Sequence, residues 1–484
     1  MEYKNKDYIY KNRWKILNIV LLAPFMATLD SSIVNVALPF MADKLSVGIS
    51  TIQWVVTSYL IIISSTILAF GRLADIIGKT KVFQYGFLIF SLGSLFCGIS
   101  YTIYFLIFSR IIQAIGASMI MACNQGIIAD IFPKEERGRA LGFSGTTVAV
   151  GTMVGPPIGG IILGILDWEY IFLINVPIGI IAYIIGIKIL PKYNQSEIHN
   201  KVKEFDIKGF ILFFIASIAL FGAMLSGEKV GWNNRYIIFS FFIFLVFLIL
   251  FYFNENKVRN PILNFNLFYN RLFSVSLICA FISYMVIFST NIIQPFYLQY
   301  GLKMSPKKAG IFLMIYPMTV SIIAPISGYI SDKVGSEVIT LLGLVVTFVG
   351  LYSLSTLNLN SSYYEVIFKT SILGIGNGFF QAPNNSIVMS AVPKNRLGIA
   401  GSINALVRNI GMVFGIALSI VLLNNRMSYK IGYKVDKIIK GKEYVFIYGM
   451  RFVYIVCAIL CFVGIMLTLW RIKSKRGKFY IKEK

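Results

Sequence analysis

The chain is a succession of apolar runs, each long enough to cross a lipid bilayer, joined mostly by short polar loops. A helix rises 1.5 Å per residue, so roughly 20 apolar residues span a hydrocarbon core about 30 Å thick. Backbone polar groups find no water inside that core, and runs of this kind therefore fold as helices. Hydrophobic residues make up 57% of the 484 and charged residues 14%. That is too little charge to cover the surface of a soluble chain of this length. The runs are continuous rather than alternating, which excludes an outer-membrane barrel. The expected class is an all-α integral membrane protein.

The net charge of +24 does not point to nucleic acid. Lysine and arginine sit in loops and tails between the runs, the pattern of cytoplasmic loops in membrane proteins. The basic tail after Trp470 reads as an anchor to anionic lipid heads. Cys97, Cys123, Cys279, Cys457 and Cys461 all fall in apolar runs without metal-ligand spacing, and the lone histidine, His199, lies in a polar linker. Neither a disulfide framework nor a metal site is expected. The first run is too long for the h-region of a cleavable signal peptide.

Fourteen spans are expected, near 16–39, 51–71, 82–100, 103–129, 139–163, 168–190, 207–226, 235–253, 272–297, 308–330, 337–356, 364–390, 398–423 and 446–470. An even number places both termini on one side, and the loop charges make that side cytoplasmic. The basic stretch 424–444 is placed outside on this count, against the charge rule. An internal repeat is visible: Gly71-Arg72-Leu73-Ala74-Asp75-Ile76-Ile77-Gly78 echoes Gly328-Tyr329-Ile330-Ser331-Asp332-Lys333-Val334-Gly335. The chain therefore divides into an N-terminal six-helix bundle (1–190), a cytoplasmic linker (191–206), two added helices (207–253) and a cytoplasmic loop (254–271). A C-terminal six-helix bundle (272–470) and a basic cytoplasmic tail (471–484) follow. Two membrane repeats that rock about a central site are the physical plan of a secondary transporter.

Four stretches carry a family resemblance: Leu29 to Pro39 in the first span, Gly71 to Lys81 in the loop after the second, Arg110 to Ala117 in the fourth, and Gly151 to Gly160 in the fifth. Together they resemble the major facilitator superfamily, and within it the 14-helix drug:proton antiporters named after EmrB and QacA. The resemblance implies the major facilitator fold, two six-helix bundles plus two central helices, and export of a small molecule against protons. It also implies a latch on the cytoplasmic side, for which Gly71, Arg72, Asp75, Gly78, Lys79, Arg139 and Asp332 are the candidates; Asp75 can accept from a neighbouring helix N-terminus or pair with an arginine, Arg139 being the candidate. Gly151, Gly155, Pro156, Gly159 and Gly160 then form the antiporter motif, whose small residues permit close helix approach. Gly374 to Gly378 imitates a nucleotide loop only superficially, because it lies inside an apolar span with no preceding strand.

Asp30 and Arg110 carry the chemistry. A charge within a span is costly and faces the protein interior. Counting residues from each span's start puts both at similar depth. A buried carboxylate near a cation stands between desolvation, which favours its protonated form, and attraction, which favours its charged form. Such a group can load and release a proton. Trp54, Tyr59, Gln113, Asn124, Asn291, Gln294, Tyr316, Gln381, Asn385 and Arg408 are candidates for a substrate cavity that mixes aromatic and polar groups. Span 10 carries no carboxylate, so neutral or monovalent substrates fit better than dications.

The leading expectation is a proton-coupled multidrug antiporter that exports lipophilic compounds by alternating access. The alternative is an exporter of one endogenous metabolite or lipid precursor on the same scaffold. A monomer in the cell membrane is expected, driven by proton motive force without a cofactor. An enzyme is not expected, because no catalytic cluster lies in the spans. An ATP-driven pump lacks its phosphate loop here.

Overall fold

The computed structural model describes residues 6–190, 206–231, 233–258, 263, 265–392, 397–439 and 441–482. The expected linker with His199 lies outside them, as does most of the loop between 258 and 265. The side chains of Asp75, Arg139 and Asp332 also lie outside the described set, so the expected gate pairing lies there too. Among the described residues there is no strand, and fourteen helices reach at least 15 residues. In chain order these are α1 (Lys6–Lys44), α2 (Trp54–Ile77), α3 (Lys79–Gly98), α4 (Ile103–Ile131), α5 (Lys134–Ile165), α6 (Asn175–Ile189) and α7 (Ile207–Val230). They continue with α8 (Arg235–Lys257), α9 (Arg271–Phe296), α10 (Ile315–Val334), α11 (Ser336–Leu354), α12 (Tyr363–Ser390), α13 (Leu397–Ile431) and α14 (Glu443–Lys482). Thirteen membrane-crossing segments are long and apolar enough. The remaining helix, α12, has 28 residues but carries Lys369, Asn377, Gln381, Asn384 and Asn385 along its length.

The helices form two compact units. The first comprises Met1–Ser46 and Thr51–Ile262, and the second comprises Val47–Ser50 and Leu263–Lys484. The two added helices, α7 and α8, thus belong to the first unit. They pack on each other, and α7 also packs on α2. Only 11% of the α8 crossing window is buried. Phe239, Phe242 and Phe253 stand outward on it, fully compatible with a lipid-facing helix.

The duplication seen in the sequence is present in the backbone. Gly78 ends α2 at φ 104° and Gly335 ends α10 at φ 101°, a region that side-chain-bearing residues avoid. Each lets the chain reverse into the next helix without a longer loop. Close approach is duplicated as well. A Cβ on Gly93 would overlap the Gln113 backbone, locking α3 to α4, and one on Gly343 would overlap the Phe380 backbone, locking α11 to α12. Gly155 admits Ser32 between α5 and α1, and Gly415 admits Met285 between α13 and α9. In a membrane, where no hydrophobic effect drives helices together, such approach gives dispersion contact. The glycines at 374, 376 and 378 do the same work against Thr319, Thr347 and Ile323, a packing role.

Gly93→Ala forces carbon into backbone and is expected to cost about 1–3 kcal/mol. Gly222→Ala, where a Cβ meets nothing within 4 Å, is expected to be neutral or stabilising. Thermal melts of the two variants in detergent, read by size-exclusion fluorescence, check this; equal melting temperatures would contradict it.

Candidate functional site: a buried ion-pair network

Asp30 lies midway along α1, which is continuous for 39 residues. Its neighbours one helical turn apart, Thr28 and Ser32, face α5. The Ser32 hydroxyl donates to the Gly151 carbonyl at 3.2 Å, and Thr28 lies where a Cβ on Gly151 would be. Two residues turn a helix by about 200°, so packing Thr28 and Ser32 on α5 turns Asp30 the other way. The antiporter-motif glycines 151, 155 and 159, seated on Thr28, Ser32 and Ile33, therefore fix where Asp30 points. Pro156 and Pro157 lie inside α5 without interrupting it.

On that other side Asp30 meets three donors. Arg110 Nη1, from α4, donates to Asp30 Oδ2 at 2.6 Å. Gln113 Nε2, one turn further along α4, donates to Oδ1 at 2.8 Å. Asn175 Nδ2, at the start of α6, donates to the same oxygen at 2.9 Å. Arg110 also donates through Nε to the Val55 carbonyl of α2 at 2.9 Å and through Nη1 to Gln113 Oε1 at 2.5 Å. Gln113 donates in turn to the Ser94 hydroxyl of α3 at 2.8 Å. The Arg110 guanidinium lies over the Tyr59 ring at 4.1 Å and near the Phe172 ring at 5.5 Å. Asp30, Arg110, Gln113 and Asn175 are each wholly buried.

Burying two ions is expensive, and their attraction offsets the cost only when further hydrogen bonds satisfy them. The network supplies these on the carboxylate side. On the cationic side it leaves a surplus: Arg110 Nη2, the Tyr59 hydroxyl and Asn175 Oδ1 are buried without a partner. Unsatisfied buried groups favour rearrangement, since any alternative that pairs them gains free energy.

The other expected residues take varied places. Asn124 donates to Ser144 at 3.0 Å and ties α4 to α5. Gln294 donates to Thr370 at 2.8 Å and ties α9 to α12. Trp54, Asn291 and Tyr316 are half-buried. Gln381 donates to the Tyr284 hydroxyl at 2.7 Å, and Arg408 lies 5.9 Å from the same ring. Asn385 is exposed and accepts from Asn404 at 3.0 Å. Of the gate residues, Gly71 has open space around it. Gly78 makes the turn, Arg72 has a buried, unpartnered Nε, and Lys79 pairs with Asp130 at 2.9 Å. Arg13 of α1 grips both carboxylate oxygens of Glu136, at 2.8 and 3.0 Å. Sequence reasoning missed Asn175 and Ser94. Asn175 had a usable signal, being an amide set in an apolar run. Ser94 had none, because a serine inside a span commonly satisfies itself on its own helix.

Comparison with known proteins decides the family. The Major Facilitator Superfamily model matches residues 20–218 and 207–416. The chain is a member of the Major Facilitator Superfamily. Among its relatives in this superfamily, "Riboflavin transporter RibZ" of Clostridioides difficile is 36% identical over 460 residues, 95% of this chain and 98% of that protein. "Multidrug resistance protein 3" of Bacillus subtilis is 30% identical over 416 residues, 85% of this chain and 80% of that protein. A solved POT family transporter superposes with a TM-score of 0.69 at 15% identity, covering 96% of each chain. A bacterial homologue of the lysosomal transporter Spinster gives 0.68 at 13%, covering 95% of this chain and 97% of its own. At these identities both likenesses are of the fold alone.

Removing one buried partner leaves the other charge uncompensated, a cost of about 3–5 kcal/mol. Asp30→Asn and Arg110→Gln are each expected to lose much of that stability. The double variant Asp30→Asn/Arg110→Gln, which removes both charges and keeps polar shapes, is expected to recover most of it. A double-mutant cycle on thermal or denaturant unfolding checks this, and simple additivity of the two single changes would count against a coupled pair.

Proposed function

We propose that this major facilitator transporter moves a small planar, neutral heterocycle of the riboflavin type across the cell membrane, coupled to protons through Asp30. The observation that carries the coupling is the buried carboxylate held by three donors from α4 and α6. Oδ1 accepts two hydrogen bonds and Oδ2 accepts one, from Arg110, so a proton arriving on Oδ1 must displace a donor, and a proton on Oδ2 removes the charge that holds Arg110. On Oδ2 it weakens the hold on Arg110 of α4 by neutralising the carboxylate, and on Oδ1 it displaces Gln113 or Asn175. Protonation would therefore loosen α1 from α4 or α6, and deprotonation would restore the grip. The freed Arg110 would still hold the Val55 carbonyl and the Tyr59 ring. A proton entering along the membrane potential adds about 2.3 kcal/mol per 100 mV. This is a physical route from proton binding to alternating access.

The substrate class is supported by the relative named a riboflavin transporter, which matches nearly full length. It is also supported by the lack of a carboxylate in the stretch Gly310 to Ser321, which leaves nothing there to attract a dication. The second reading is export of lipophilic drugs, as in the 14-helix antiporters. It is favoured by the relatives named for multidrug resistance and by the motif glycines on α5.

Proteoliposomes with an imposed pH gradient test both readings. Wild-type protein is expected to accumulate riboflavin in a gradient-dependent way that an uncoupler abolishes. Asp30→Asn is expected to lose gradient-driven accumulation while retaining binding. Normal gradient-driven transport by Asp30→Asn would remove the coupling assignment. Transport of ethidium in place of riboflavin would favour the drug reading.

Both termini are proposed to be cytoplasmic, which places the loop around Tyr433 outside. The five native cysteines are all buried, so a cysteine in place of the exposed Tyr433 gives a clean label site. It is expected to react with an impermeant maleimide on intact cells; labelling only after lysis would reverse the orientation.

A further inference from the structure

A second polar cluster lies in the C-terminal unit. Arg408 sits eleven residues into α13, about 17 Å along the helix. It is half-buried. Its Nε is buried with no hydrogen-bond partner, and no described carboxylate contacts the side chain. Below it lies Tyr284 of α9, its ring 5.9 Å from the guanidinium. Tyr284 is held there by close approach: a Cβ on Gly411, one turn after Arg408, would stand 3.3 Å from the Tyr284 Cβ and 2.7 Å from the Phe281 carbonyl. Gln381 of α12 donates to the Tyr284 hydroxyl at 2.7 Å, which fixes the amide and leaves its oxygen free to accept. One turn further on, exposed Asn385 of α12 accepts from Asn404 of α13.

Half-buried Arg408, Gln381 and Asn404 with exposed Asn385, all within spans, do not face lipid, because lipid offers them no partner. These side chains therefore line a wet surface. A lone cation there repels cationic ligands and presents donors in a rigid fork. Beside it stand an aromatic face and an amide fixed by the tyrosine hydroxyl. That combination suits a ring system edged with carbonyl or anionic oxygens.

We propose that Arg408, Tyr284 and Gln381 form the substrate-reading subsite and that Arg408 selects acceptor-rich neutral or anionic ligands against cations. The subsite rests on the transport reading, and its charge preference is independent of whether riboflavin itself is carried. It also separates two tasks by charge: the N-terminal unit holds a neutralised pair, and the C-terminal unit holds a cation that awaits an acceptor.

Three fluorescent probes decide it on the full-length protein in nanodiscs: riboflavin (neutral, with an imide edge), riboflavin 5′-phosphate (anionic) and ethidium (cationic). Wild type is expected to bind at least one flavin more tightly than ethidium. Arg408→Gln is expected to weaken that flavin at least tenfold and to raise its transport KM more than it lowers kcat. Arg408→Lys, which keeps charge and loses the fork, should fall between the two. Arg408→Glu should shift preference toward ethidium. Tyr284→Phe removes one oxygen and keeps the ring, so it should fold normally; it is expected to weaken the same flavin several-fold through Gln381. Unchanged flavin affinity, within twofold, in both Arg408→Gln and Tyr284→Phe overturns the subsite. A wild-type preference for ethidium overturns the charge selection. A preference for the phosphate over riboflavin overturns the riboflavin reading alone, and the subsite then stands or falls on Arg408→Gln with the phosphate as probe.

Discussion

The N-terminal unit is arranged around the contact between Asp30 and Arg110. Two full charges in a dry interior are tolerable only if each is almost completely solvated by protein. That requirement recruits Gln113 and Asn175 to the carboxylate and the Val55 carbonyl and Tyr59 ring to the guanidinium. These groups come from α1, α2, α4 and α6. One electrostatic demand thus ties four helices together, and a fifth, α3, joins through Ser94. Low dielectric makes the arrangement strong while paired and costly when broken, a combination suited to a switch.

Close packing makes this aim possible. The glycines of α5 bring α1 near enough that Thr28 and Ser32 are fixed, which leaves Asp30 one direction to face. The same geometry recurs in the C-terminal unit, where Gly411 and Gly415 bring α13 onto α9. There Gln294 donates to Thr370, Asn377 to Ser283, and buried Arg471 to the Ser276 and Thr340 hydroxyls. The duplicated scaffold thus has diverged in charge while its small-residue contacts persist. Backbone approach is set by residue size, which both copies needed. A fully buried ion pair, among the described residues, is found in only one copy.

Much of this was legible in the chain. Apolar run length determined the helices, and the repeat of Gly71–Gly78 at Gly328–Gly335 revealed the duplication that Gly78 and Gly335 express in their backbone angles. Asp30 and Arg110 stood out because charge inside a span is costly. Counting residues along each span put them at one depth, and they are in contact. The amides were harder to place. Gln113 and Gln294 read as cavity liners, yet both are buried against neighbouring helices, because an amide in a span satisfies either a ligand or a helix and its sequence position does not say which. Tyr284 was invisible among 27 tyrosines until Arg408 and Gln381 were seen to share it.

By itself, the sequence determined that the chain is a duplicated bundle of membrane helices, that it carries a carboxylate and an arginine at matched depth, and that small residues line particular helix faces. These follow from hydropathy, length and the price of buried charge, all of which are local or additive along the chain. The tertiary structure alone decided who partners whom: Asn175 with Asp30, Val55 with Arg110, and Tyr284 with Gln381. A hydrogen bond forms only when two helices bring donor and acceptor within about 3 Å. Rotation about each helix axis sets that distance, and it is determined by packing against every neighbour at once.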